Sequence, residues 1–181
     1  DVTNFVMAEL AQPMHAFDRD LLKGDTIYVQ PAREGEHFVG LNEEAYKLLP
    51  SNLVIADAHG AVALAGVIGG LDSAITQYTR TIVLESANFQ AASVRRTSAA
   101  MKLRTDASMR FEKSQDPVNT VRGLARAVEL LRDLSPGARL ARAGAGLSSY
   151  GGRDYALGTG AAGRRGEFFA AGSFGSSEGF Q

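Results

Sequence analysis

Apolar positions along this chain fall into short runs with a strand period in the first half and a helical period in the second. Residues 26–30 alternate, with Ile27 and Val29 on one side. After the turn at Glu34-Gly35-Glu36, residues 37–41 read as a strand, and 45–49 returns as its hairpin partner. Leu53 to Ala56 is a continuous apolar strand closed by residues 57–60. The centre of the pattern is 62–89, reading VALAGVIGG, LDSAITQYTR and TIVLESANF: two apolar runs of strand length around a turn-rich link.

Each run ends in something a strand does not need. The first closes on Gly69 and Gly70, which allow close backbone approach or a positive φ. The second closes on Glu85, directly after Ile82, Val83 and Leu84. Burying a carboxylate there costs several kcal/mol unless it is hydrogen-bonded or paired. Glu85 is therefore the first candidate for a working residue; the alternative is an exposed acid where a strand emerges into a loop.

Around this centre the other elements are simpler. Residues 1–10 suit either a strand or a short helix, and Gln12-Pro13 breaks regularity. Asp18 is placed to cap a short helix through Leu21 and Leu22, with Gly24 ending it. After Phe89 the period changes: residues 91–102 predict a helix, and Thr105 or Asp106 caps a second, short one. Asp116-Pro117 starts a third, in which Val118, Val121, Leu124, Ala125, Val128 and Leu131 form one apolar face as far as Leu134. Pro136 and Gly137 stop it. Beyond them the sequence turns to glycine, alanine, serine and arginine with little periodicity, and 136–181 is expected to be a poorly ordered tail after a domain of residues 1–135.

Composition narrows the function classes. At 181 residues, with 45% hydrophobic and 22% charged residues, the chain suits an ordinary globular domain, and its net charge of -1 supplies no global basic field for nucleic acid. It has no cysteine, which excludes disulfides and thiolate metal sites and agrees with a cytoplasmic setting. No apolar run is long enough for a membrane helix, and no signal-peptide pattern opens the chain. It begins at Asp1 without an initiator methionine and is read as a piece of a longer protein. His15, His37 and His59 have no metal-binding spacing. The GxGxxG match at 158–163 lacks the preceding buried strand and following helix of a dinucleotide site. One local feature remains: Arg95, Arg96, Lys102, Arg104, Arg110 and Lys113 stand against only Asp106 and Glu112. Such a stretch is either a phosphate-backbone contact or a solvated helix face.

Four segments, DVTNFVMAELAQPMHAFD, ALAGVIGG, TIVLESANF and LRTDASMRFEKSQDP, occur in this order and at separations that closely resemble the editing module of the bacterial phenylalanyl-tRNA synthetase β subunit. The resemblance covers about 1–134. It implies an α+β fold, a three-layer arrangement with a sandwich-like mixed sheet core and flanking helices. It also implies hydrolysis of tyrosine misattached to phenylalanine tRNA. An apolar pocket rejects an added hydroxyl only about 100-fold, whereas a site that requires the hydroxyl discriminates by up to roughly 10⁴ to 10⁵.

By the resemblance, Glu85 accepts the tyrosine hydroxyl. His15, of the QPMHAF motif, stands near the scissile ester with Thr3 and Asn4 as the catalytic residues, and either His15 or Asn4 gives general-base help or orients the water. Pro13, Gly69, Gly70, Thr105 and Ala107 line the pocket, Gly69 leaving room for the aromatic ring, and Arg95, Arg96 and Arg104 are candidate RNA contacts. The module needs no cofactor; ATP and Mg²⁺ belong to the whole synthetase, whose partners are phenylalanine tRNA and a catalytic α subunit. Two other readings stand beside this one: a non-catalytic tRNA-contact or scaffold module, and a separate editing factor acting on other mischarged tRNAs.

Overall fold

The computed structural model describes residues 1–24 and 26–135 in full, and beyond them only the backbone of three strands. It is α+β, as expected. The chain divides into two compact units. The first takes in 1–16, 79–88 and the chain from Gln115 onward; the second is 17–78 and 89–114.

The first unit begins with helix α1, Val2–Leu10. Asp1 settles the ambiguity between strand and helix, because its carboxylate caps the helix by accepting from the backbone N–H groups of Thr3 and Asn4. Ala11 ends it in the left-handed region, at φ 57. Strand β1 follows at Met14–Asp18, its first three residues in this unit and its last two in the second.

The first unit also holds the predicted strand Thr81–Ser86 and the long helix Val118–Leu134. Val118 N–H donates to the Asp116 carboxylate, the expected start. The buried stripe of this helix is nevertheless not the one that counting apolar residues predicts. Val118 and Val121 are 58% and 48% exposed, and Thr120, Gly123, Leu124 and Ala127 are buried instead. The stripe is partly polar, so hydrophobic periodicity misplaces it. Leu124 and Ala127 form a core with Val6, Ile82 and Leu84, and Met14 and Ala16 of β1 pack on that core. At the surface, Arg126 bridges Glu9 of α1 and Glu129 of its own helix.

The second unit supplies the remaining strands. Numbering on from β1, they are β2 Tyr28–Pro31, β3 His37–Val39, β4 Ala45–Lys47, β5 Leu53–Ala56, β6 Ala61–Leu64 and β7 Ile68–Gly69, so that Thr81–Ser86 is β8. β2, β5, β6 and β7 form an antiparallel sheet in the order β2-β5-β6-β7, and β3 pairs with β4 as the predicted hairpin. The apolar run at 62–70 is not one strand but a hairpin, because Gly66 takes φ 70 at its turn. No residue but glycine fits there: a Cβ would lie 2.9 Å from Phe89, 3.0 Å from Val94 and 3.1 Å from Phe111. Phe89 and Phe111 meet edge to face, with centroids 5.2 Å apart.

Helices α2, Ala91–Ala100, and α3, Asp106–Phe111, are those expected, and Thr105 and Ser108 cap α3 reciprocally. The long helix of the first unit is therefore α4. The helix anticipated after Asp18 does not form. Asp18 instead holds a turn, accepting from Asp20 N–H at 2.9 Å, with Gly24 at φ 79 beyond it.

In the first unit β8 lies beside β1. On its other side are the backbone strands β11, Gly166–Ser176, β10, Arg153–Gly163, and β9, Arg139–Gly146. The expectation of a poorly ordered tail falls on 136–181, outside the residues described in full.

Candidate functional site

Strand alternation decides which way the side chains of β1 and β8 point. Ile82 and Leu84 enter the core with α1 and α4, and Ser86 donates to Thr120 O of α4 at 2.8 Å. Glu85, between them, therefore projects from the opposite face. In β1, Met14 and Ala16 pack on the same core, so His15 also projects from the face away from it. Since β1 and β8 are neighbours in the sheet, His15 and Glu85 occupy one face of two adjacent strands.

Both groups are desolvated. Burial pushes the Glu85 carboxyl up to about 8 and the His15 imidazole down to about 4. Each residue as a whole is half-buried, while its ionisable end is desolvated. Among the described residues the Glu85 carboxyl has neither a hydrogen bond nor an ion pair. His15 does hold an interaction within the structure. At neutral pH this face of the two strands thus carries a largely neutral carboxylic acid and a neutral imidazole. The acid can donate one hydrogen bond and accept another, and the imidazole can orient a water molecule.

Thr3 Oγ1 and Asn4 Nδ2 both donate to the Asp1 carboxylate, at 2.9 and 3.1 Å, so these side chains extend the cap of α1. Pro13 is buried at the start of β1, and its carbonyl accepts from Gln12 Nε2 at 3.0 Å.

Gly69, Gly70, Thr105 and Ala107 belong to the second unit. Gly69 pairs with Ala63 in the sheet. Gly70 has a structural reason to be glycine: a Cβ there would stand 2.5 Å from Val62 O. The Thr105 hydroxyl donates to Val67 O at 2.7 Å while capping α3. Ala107 lies in α3 and is half-buried. Of the basic residues, Arg95 donates to Glu112 O and Arg104 pairs with the Glu112 carboxylate, so both support the local fold, while Arg96 is exposed. Among the described residues no group of three or more His, Cys, Asp or Glu side chains gathers to hold a metal ion.

Sequence reasoning passed over Gln12, treating it only as part of a break. It is fully buried. Its Nε2 donates both to Pro13 O and to Ala87 O, at 2.9 Å for the latter. The available signal was Gly123, a glycine inside a helix, where it costs about 1 kcal/mol relative to alanine. The reason is contact: a Cβ at 123 would lie 2.7 Å from Gln12 Cγ.

Residues 1–136 match the B3/4 domain family, and the chain belongs to it. The chain is similar to phenylalanine–tRNA ligase beta subunits. It is 77% identical over 140 residues to that of Solibacter usitatus, covering 77% of this chain and 18% of that protein. It is 46% identical over 137 residues to that of Syntrophus aciditrophicus and 45% over 138 residues to that of Porphyromonas gingivalis, each covering 76% of this chain and 17% of the relative. The chain thus spans less than a fifth of the length of these relatives.

Proposed function

We propose that this chain is the part of a phenylalanine–tRNA ligase beta subunit that hydrolyses tyrosine misattached to phenylalanine tRNA. The reading rests on one arrangement: a desolvated carboxyl without a partner among the described residues, on the same face of adjacent strands as a desolvated imidazole. A carboxyl kept neutral in this way exchanges hydrogen bonds with a phenol and is left with nothing when phenylalanine enters, the asymmetry that selection for tyrosine needs. The added hydroxyl is then what the site demands.

The ester supplies its own activated carbonyl. Water held by His15 attacks the carbonyl carbon, the tetrahedral species expels the tRNA ribose oxygen, and the proton lost by water passes to that oxygen. Tyrosine and uncharged tRNA result. An imidazole of such low basicity contributes by orienting water more than by removing its proton. The assignments of Thr3 and Asn4 to catalysis, of Pro13, Gly69, Gly70, Thr105 and Ala107 to the substrate, and of Arg95, Arg96 and Arg104 to RNA, come from the resemblance. ATP, Mg²⁺ and the α subunit serve the whole ligase in the same reading, and no step here passes through them. A cytoplasmic location follows from it as well.

Deacylation of tyrosyl- and phenylalanyl-tRNA by the purified chain tests this. Glu85→Ala is expected to erase most of the preference for tyrosine, and His15→Ala to slow hydrolysis by about 10²-fold or more. Unchanged rates in both variants, or tRNA binding with no hydrolysis by the unmodified chain, would replace the hydrolase with a tRNA-contact module.

A further inference from the structure

Gln12 occupies an unusual place relative to the two groups just described. One arm of its amide contact is the carbonyl of Pro13, two residues before His15; the other is the carbonyl of Ala87, two residues after Glu85. Pro13 directly precedes β1 and Ala87 directly follows β8, so the amide joins the chain where it enters one strand to the chain where it leaves the other. We infer that Gln12 is a positioning residue that ties the start of β1 to the end of β8 and so fixes the spacing of His15 and Glu85. The inference rests on the editing reading for its catalytic meaning, but the spacing itself can be measured without it.

The surroundings of the amide argue for a fixed strut rather than a passive filler. The side chain is fully buried, and its Oε1 accepts no hydrogen bond among the described residues. Leaving a buried acceptor without a bond is costly, and an apolar side chain would avoid it. Turning the amide over would put Oε1 against two carbonyl oxygens, so only the observed orientation links the strands. Gly123 closes the other side, its missing Cβ giving room for Gln12 Cγ. Next to it, Ser86 and Thr120 join β8 to α4, and Thr120 Oγ1 donates to Pro117 O at 2.7 Å. The strand ends are thus held from the helix side, opposite the face that carries the site.

Two variants of the full chain test this. Gln12→Met keeps the length and apolar stem but removes both donated bonds; Gly123→Ala leaves every polar group and presses on Gln12 from behind. The primary readout is the NMR titration of the His15 ring, with His37 and His59 as internal references, and the second is kcat and KM for deacylation of tyrosyl-tRNA. Both variants are expected to fold, to move the His15 midpoint upward by a pH unit or more, and to lower kcat at least tenfold with KM changed less than threefold. An unchanged His15 midpoint with kcat within threefold of the original overturns the inference. So does loss of the fold in both variants, which would make Gln12 a residue of folding alone. If the unmodified chain hydrolyses nothing but the His15 midpoint still moves, the positioning stands and the editing reading falls.

Discussion

Asp57 and Glu85 each follow a run of apolar strand residues, one in the second unit and one in the first, and their surroundings treat them in opposite ways. Desolvation pushes both carboxyls upward. At Asp57 the backbone N–H groups of Lys23, His59 and Gly60 more than reverse it, and its value falls below the ordinary range. At Glu85 no group among the described residues reverses it. The second unit uses its distinctive residues on itself: Glu36 accepts from Arg33 and Ala61 N–H, Thr105 caps a helix, and Gly66 and Gly70 permit close approach. In the first unit the Glu85 carboxyl has no such partner among the described residues. A carboxylate at a strand end is held ionised when a loop turns its N–H groups toward it, and is pushed toward its neutral form when burial acts alone.

The largest effects should come from the second unit. Gly66→Ala adds a Cβ to a left-handed position already crowded by Phe89, Val94 and Phe111, and should cost about 2 to 5 kcal/mol. Asp57→Ala strands three backbone donors and should cost about 2 to 4 kcal/mol at neutral pH. Because the folded value of Asp57 is depressed, that cost should shrink as pH falls through it. Urea titrations at several pH values check both; a neutral effect of either would remove the contrast.

In the first unit the sign reverses. Glu85 has a folded value near 8 against an ordinary one of 4.5, so its native state favours the proton. Stability is full below 4.5 and falls as pH rises toward 8. Glu85→Gln should therefore stabilise the chain by on the order of 1 to 3 kcal/mol at pH 8, with the gain vanishing near pH 4.5. His15, depressed from 6.5 to about 4, acts oppositely: its contribution is present above 6.5 and is lost as pH falls toward 4. Between pH 4.5 and 6.5 the two slopes, each about 1.4 kcal/mol per pH unit at most, oppose one another. Glu85→Gln should expose the rising slope, and His15→Gln the falling one. Parallel curves in the two variants would show that the pair is not desolvated as described.

The smallest effect concerns Ala11. Its φ of 57 lies where alanine is strained, and Ala11→Gly should change stability by less than about 1 kcal/mol, in the stabilising direction. Thermal melts resolve a change of that size. A clear loss would mean that the methyl group packs in a way that outweighs its backbone strain.

Much of this was legible in the residues. The strands at 53–56 and 81–86, the β3–β4 hairpin and all three later helices follow from period and capping residues. Glu85 stood out because an acid ended an apolar run. The same pattern at Asp57 shows the limit of that signal: what separates the two is the direction of backbone N–H groups, which no count of apolar residues reports. The inward stripe of α4 escaped for a related reason, since Thr120 and Gly123 face the core while Val118 and Val121 face solvent. Gln12 was hidden because its partners are main-chain carbonyls, one of them far along the chain.

The space at Gly66 couples a local turn to contacts made far along the chain. One methyl group added there would set the β6–β7 hairpin against the seating of Phe89 and Phe111, residues on either side of α2.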